Sequence, residues 1–197
     1  EEGRTPILSS IAKAQKILLD TETSKTYITP QGVQGYIDGM IELLLGKANP
    51  VVLANRVAAV QAPGGCGSLR ILSELIKRCN TNTTVWVSDP TWANHIPLIG
   101  NAGLKIETYP YFDKGQASIR FDAMVECLEK VKAGDVVLLH GCCHNPTGAD
   151  LTKEQWQIVL ELAQKTGFIP FIDVAYLGFG DSLEDDAFGT RLLVNNL

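Results

Sequence analysis

The sequence predicts an α/β fold with a mostly parallel sheet flanked by helices, and three observations carry that expectation. Nearly continuous apolar runs at 135–140 and 168–173 each close on a polar residue, the pattern of strands buried on both faces. Helical spacing of apolar residues fills the intervals between the strand-like runs. Glycines, prolines and capping residues fall where such elements would begin and end. Strand alternating with helix implies parallel pairing and places ligand chemistry at the carboxyl ends of the strands.

In chain order, a helix opens at Gly64-Gly65-Cys66-Gly67 and carries Leu69, Leu72, Leu75 or Ile76, and Cys79 at helical spacing. Residues 85–88 form a β-branched and aromatic strand that stops at Asp89-Pro90, and a second strand covers 106–112. A helix over 121–132 closes at Gly134, with Lys130 and Lys132 suited to the negative end of its dipole. After strand 135–140, Thr152-Lys153-Glu154-Gln155 fits a capping box. Trp156, Val159, Leu160, Leu162 and Ala163 then supply an apolar stripe that ends at Gly167. Strand 168–173 follows. No repeat and no Pro/Gly/Ser linker divides the chain, so one domain is expected.

Composition narrows the function. In 197 residues, 17 Lys and Arg stand against 22 Asp and Glu, a formal charge of −5 that argues against nucleic-acid binding. No apolar run approaches the roughly 20 residues of a membrane span. The cysteines, at 66, 79, 127, 142 and 143, are odd in number and include a strained adjacent pair, so reduced thiols in a cytoplasmic setting are expected. Residues 1–4 carry no Met and no secretion signal, and read as an internal starting point.

Four segments carry candidate chemistry, each at a strand-to-helix transition. The loop at Pro63-Gly64-Gly65-Cys66 opens a helix whose free N–H groups and dipole suit a phosphate, although alone it reads better as a tight turn. The segment 140–148 holds His140, Cys142, Cys143 and His144. Its adjacent ligands alternate in direction and lack a C-x-x-C loop, so no metal site is expected there. A Cys-His nucleophile is conceivable, against the usual role of free Cys as a small buried hydrophobe. Asp173 ends a buried strand and needs a partner, either a cationic ligand nitrogen or a core histidine. Trp92 follows a strand end, where stacking on a flat ligand is open to it but core filling is the commoner role.

Together these segments supply a phosphate cradle, a flat aromatic, an amide donor and a carboxylate. That inventory matches pyridoxal phosphate. The phosphorylated pyridine needs an anion site, a carboxylate that keeps the ring nitrogen protonated, donors to its phenolate oxygen and a stacking group.

Ser88-Asp-Pro-Thr-Trp-Ala-Asn-His95, His140-Gly-Cys-Cys-His-Asn-Pro-Thr-Gly148 and Asp173-Val-Ala-Tyr176 closely resemble, in order and spacing, the class I aspartate and aromatic amino acid aminotransferases of fold type I. The resemblance implies the three-layer large domain of a pyridoxal-phosphate transferase. Gly64, Gly65 and Cys66 would bind the cofactor phosphate, with Tyr27 reaching the phosphate of a neighbouring subunit. Trp92 would stack on the ring and contact substrate, and Asn145 and Tyr176 would donate to the phenolate oxygen. Asp173 would pair with the ring nitrogen and Ala175 would pack on the opposite ring face. His95 and His140 would form a shell around Asp173, and Pro146 would follow a cis peptide bond.

Two departures accompany the resemblance. Cys66 stands where many relatives carry Ser or Thr, and no Lys follows Asp173, so the S-x-x-K lysine of the family's Schiff base is missing. The expectation is therefore the central part, residues 1–197, of the cofactor domain of a cytoplasmic homodimer with shared active sites, truncated at both ends and without the small domain. The full enzyme would exchange an amino group between an amino acid and a 2-oxo acid. The alternatives are a non-catalytic binder of pyridoxal phosphate or another phosphorylated ligand, and a hydrolase using Cys142 or Cys143.

Overall fold

The computed structural model describes residues 5–197, so the reading of the chain start at residues 1–4 lies outside the described residues. The chain forms two compact units, one ending at Pro30 and the other Gln31–Leu197. The sequence offered no linker, but the boundary falls beside Pro30 and Gly32, residues that punctuate chains. In the first unit α1 (Ser9–Thr21) buries no residue, and Tyr27 beyond it is fully exposed.

The second unit contains α2 (Gln34–Leu45), α3 (Pro50–Leu53), α4 (Gly64–Cys79), β1 (Thr84–Asp89), α5 (His95–Gly100) and β2 (Lys105–Pro110). A short hairpin of β3 (Phe112–Asp113) and β4 (Ser118–Ile119) leads into α6 (Phe121–Leu128). Then come β5 (Val136–His140), α7 (Lys153–Thr166), β6 (Ile169–Asp173), α8 (Leu183–Asp186) and α9 (Phe188–Asn196).

The main sheet has the order β2-β1-β5-β6, and every pair in it is parallel. The largely parallel sheet expected from the sequence is present, and the antiparallel pair, β3 and β4, forms a separate small sheet. Side chains alternate across a strand, and β5 is apolar on both faces. Val136 and Leu138 pack with Leu69 and Ile99 on one side; Val137 and Leu139 pack with Met124, Trp156 and Val159 on the other. Helices therefore cover both faces, giving three layers. Each such fully buried aliphatic side chain contributes about 1.5–3 kcal/mol relative to exposure.

The capping box forms as expected: Thr152 Oγ1 accepts the Gln155 N–H at 3.2 Å, Gln155 Oε1 accepts the Thr152 N–H at 3.0 Å, and α7 ends at left-handed Gly167. Other boundaries differ. The helix expected over 121–132 ends at Leu128, because the chain turns out to bury Val131, and Lys130 and Lys132 fall beyond its dipole. The strand expected over 106–112 stops at Pro110, since buried Tyr111 leaves the sheet to donate its hydroxyl to the Ala149 carbonyl at 2.6 Å. On α4, Leu69, Ser73 and Ile76 face the core, whereas Leu72, Leu75 and Cys79 are exposed.

Gly189 lets α9 lie against α7: a Cβ there would sit 2.3 Å from Trp156 Cε2. Gly189→Ala should therefore destabilise the protein by about 1–3 kcal/mol in urea unfolding. An unchanged midpoint would mean that α9 does not pack on Trp156.

Candidate functional site

From β1 the chain goes to β2 on one side and to β5 on the other, so the topological switch point lies between β1 and β5, where open α/β sheets hold ligands. The carboxyl ends of β1, β5 and β6 meet there. A cleft of about 150 Å³ is lined by Gly65, Leu69, Trp92, His140, Cys142, Cys143, Asn145, Asp173, Ala175 and Tyr176. A larger cleft beside α2, lined by Gln31, Gln34, Asp38 and Asn55 among others, contains none of the motif residues.

Of the residues singled out in the sequence, Gly65, Trp92, His140, Asn145, Asp173 and Tyr176 line this one cleft. Gly64 and Cys66 precede and follow Gly65 in the first turn of α4, where Gly64 has φ +71° and Cys66 is exposed. No side chain caps this helix start, and the Gly64 N–H is taken by the Ala62 carbonyl at 2.9 Å. The N–H groups of Gly65 and Cys66 have no intrahelical acceptor and remain free for an anion. Tyr27 belongs to the first unit and is exposed there.

Asp173 is brought to the cleft by strand register. His140 and Asp173 are paired at the ends of β5 and β6, and the Gly141 N–H donates to the Asp173 carbonyl at 2.8 Å. The close approach needs glycine, because a Cβ on Gly141 would lie 2.7 Å from Val174 Cγ2. The Asp173 side chain is 21% exposed, and its Oδ2 lies 2.9 Å from Nε2 of His95, which is wholly buried.

The expected shell around Asp173 is partly corrected. His95 touches the carboxylate, whereas His140 connects to it through Thr91, a residue the sequence reading passed over. Thr91 Oγ1 lies 2.7 Å from His95 Nδ1 and 3.2 Å from His140 Nε2, and the Asn145 N–H points at His140 Nδ1 at 3.4 Å. A backbone N–H can only donate, which orients the series. His140 Nδ1 accepts, its Nε2–H donates to Thr91, the Thr91 hydroxyl donates to His95 Nδ1, and His95 Nε2–H donates to Asp173. The carboxylate is the terminal acceptor.

A second network fixes the loop after β5. Asp150 accepts the N–H groups of Cys143 and His144 at 2.6 and 2.7 Å. His144 lies 2.9 Å from Ser88 Oγ and 2.8 Å from Thr147 Oγ1, and it stacks on Tyr111 at 4.1 Å. Asn145-Pro146 is cis, as the resemblance implied, and Asp89-Pro90 is cis as well. The three histidines of the chain all sit in this region. Thr91 had a signal of its own, since it precedes His95 by four residues, but only structure brings His140 to the same hydroxyl.

Electrostatics favour neutral rings. Burial, with the neighbouring histidines, lowers the His140 pKa to about 3, and burial lowers that of His144 to about 4. Cys142 is pushed up to about 12, first by burial and then by the charges of Cys143 and Asp186. A nucleophilic thiol needs the opposite shift, so the hydrolase alternative finds no activated cysteine at Cys142.

The family model for aminotransferase class I and II matches residues 1–196. The aspartate aminotransferase of Escherichia coli (strain K12) is 42% identical over 191 residues, covering 97% of this chain and 48% of that protein. The aromatic-amino-acid aminotransferase of Paracoccus denitrificans is 44% identical over 195 residues, covering 99% and 49%. Among solved structures, an aromatic-amino-acid aminotransferase from Burkholderia pseudomallei, covalently bound to pyridoxal phosphate, matches with a TM-score of 0.95 at 38% identity, covering 98% of this chain and 48% of that one. The chain thus spans about half the length of the relatives it matches.

The ordinary histidine value is 6.5, so in the unfolded chain these rings take up protons well above the pH at which the folded protein does. Their contribution to stability is complete above 6.5 and is lost as pH falls toward about 4 for His144 and about 3 for His140. Thermal unfolding should show Tm falling as pH drops below 6.5, with a shallower fall in His144→Asn. Equal slopes in the two proteins would remove His144 as a cause.

Proposed function

The chain belongs to the class I and II aminotransferase family, and from that premise we propose that it forms the central part of the cofactor domain of a pyridoxal-phosphate-dependent transaminase. The whole protein would transfer an amino group between an amino acid, either aspartate and glutamate or an aromatic one, and a 2-oxo acid. The observation that carries the reading is Asp173, an acceptor aimed by His95 into a cleft that also holds an aromatic, an amide and the start of α4.

The donor set fits the cofactor. Gly65 and Cys66 would hold the phosphate through their N–H groups, with the α4 dipole adding attraction and Gly64 shaping the turn. When bound, the cofactor supplies an electron sink for the substrate α-carbon. Asp173 would keep a proton on the ring nitrogen by accepting its hydrogen bond, while His95 prevents the carboxylate from turning away. Asn145 and Tyr176 would donate to the phenolate oxygen. Trp92 would cover one ring face and Ala175 the other, excluding water; the Trp92 ring is itself held edge-on against His95 at 5.4 Å.

We also place the full protein as a cytoplasmic homodimer in which Tyr27 reaches the partner's phosphate. Support comes from the exposed apolar side chains Leu72 and Leu75 of α4 and, in the first unit, Ile17, Leu18 and Leu19 of α1, surfaces that a second copy would cover. Among the described residues no helix is long and apolar enough to cross a membrane.

Transamination by the protein from the complete reading frame tests the proposal, with pyridoxal phosphate, aspartate or tyrosine, and 2-oxoglutarate. Asp173→Ala should lower kcat by at least about a hundredfold with the fold retained; normal turnover would refute the assignment. Trp92→Ala should raise KM and weaken cofactor binding, and unchanged constants would reduce Trp92 to core filling.

A further inference from the structure

We propose that Cys142, Cys143 and Asp186 form a binding site for a thiophilic divalent cation of the zinc and cadmium kind. Their two sulfurs and a carboxylate oxygen all lie within 4.8 Å of one another, with Cys142 and Asp186 buried and Cys143 half-buried. Two thiolates and one carboxylate are a donor set that favours zinc and cadmium over magnesium or calcium. The histidines of the same loop fall outside this cluster, and their ring nitrogens bond to Thr91, Asn145, Ser88 and Thr147.

The surroundings are built for positive charge. A cavity of about 340 Å³ adjoins Cys142 and Asp186 and is also lined by Asp150, Asp181 and Asp185; Lys153, the cation on its wall, is paired with Asp185 at 2.6 Å. This space admits water as a further ligand. Asp186 is held in one orientation, accepting the N–H groups of Gly178 at 2.7 Å, Gly180 at 3.0 Å and Asp181 at 2.9 Å. On binding, each thiol passes its proton to solvent and each sulfur donates an electron pair, so two protons leave per ion and no oxidant is needed. Unlike a disulfide between adjacent cysteines, this linkage imposes no S–S geometry.

The test is titration of the reduced, metal-free full-length protein with Cd²⁺, read by thiolate-to-Cd²⁺ charge-transfer absorption and by proton release. One ion and two protons are expected. Cys142→Ser and Cys143→Ser should each weaken binding by more than about tenfold, and the surface pair Cys66→Ser/Cys79→Ser should leave it unchanged. Cys143 is half-buried, so its variant serves even if Cys142→Ser fails to fold. Absence of the absorption, its loss only in the Cys66/Cys79 variant, or unchanged affinity in both Cys142 and Cys143 variants would overturn the proposal.

Discussion

A carboxylate at the end of a strand covered on both faces has to be compensated, and the region around β6 is organised by that constraint. Asp173 sits where β6 leaves the sheet, so its backbone is fixed by pairing with β5 while its side chain faces the cleft. The compensation comes from a histidine hydrogen-bond donor rather than from Lys or Arg. His95 has no exposure to water and offers Nε2–H to the carboxylate, and Thr91 orients the other side of the ring. A Lys or Arg at the same place would consume the charge that a ligand nitrogen requires.

The same economy extends outward. Low pKa values at His140 and His144 keep both rings uncharged near neutral pH, so neither offsets the charge of Asp173. Asp150 lies apart from it, occupied with the Cys143 and His144 N–H groups, and thereby shapes the loop that presents Asn145. The same cleft is lined by Gly65 in the uncapped start of α4, the positive end of a 16-residue helix. A ligand with an anionic tail and a cationic ring nitrogen meets complementary charge at both ends, which is the electrostatic content of the proposed function.

Much of this was legible in the sequence because the physics was local. Residues 136–139 are apolar on both faces and form a buried strand, whereas in the similar run 169–173 only Phe171 is buried, β6 lying at the edge of the sheet; Thr152 and Gln155 are three apart and cap each other without outside help. What escaped was decided by tertiary contacts. Nothing in the pattern of 121–132 reveals that burying Val131 outweighs another helical turn, or that Tyr111 gains more from the Ala149 carbonyl than from the sheet. Leu72 and Leu75 satisfied the period of a core stripe yet lie outside it, because Ser73 faces the core and bonds the Leu69 carbonyl. Thr91 was hidden for the same reason, since its meaning depends on His140, 49 residues away.

The directed series from Asn145 to Asp173 is the central claim, and nitrogen-15 NMR of histidine-labelled protein addresses it directly. The chain has 3 histidines, so the ring-nitrogen spectrum is sparse enough to assign with single variants. Near neutral pH, the His140 and His144 rings should be neutral, with the His140 proton on Nε2 and its Nδ1 unprotonated, and His95 should present Nε2–H to Asp173. An imidazolium at His140, or an Nδ1–H tautomer at His95, would contradict the account, because the donor facing Asp173 would then no longer be set by the chain of hydrogen bonds behind it.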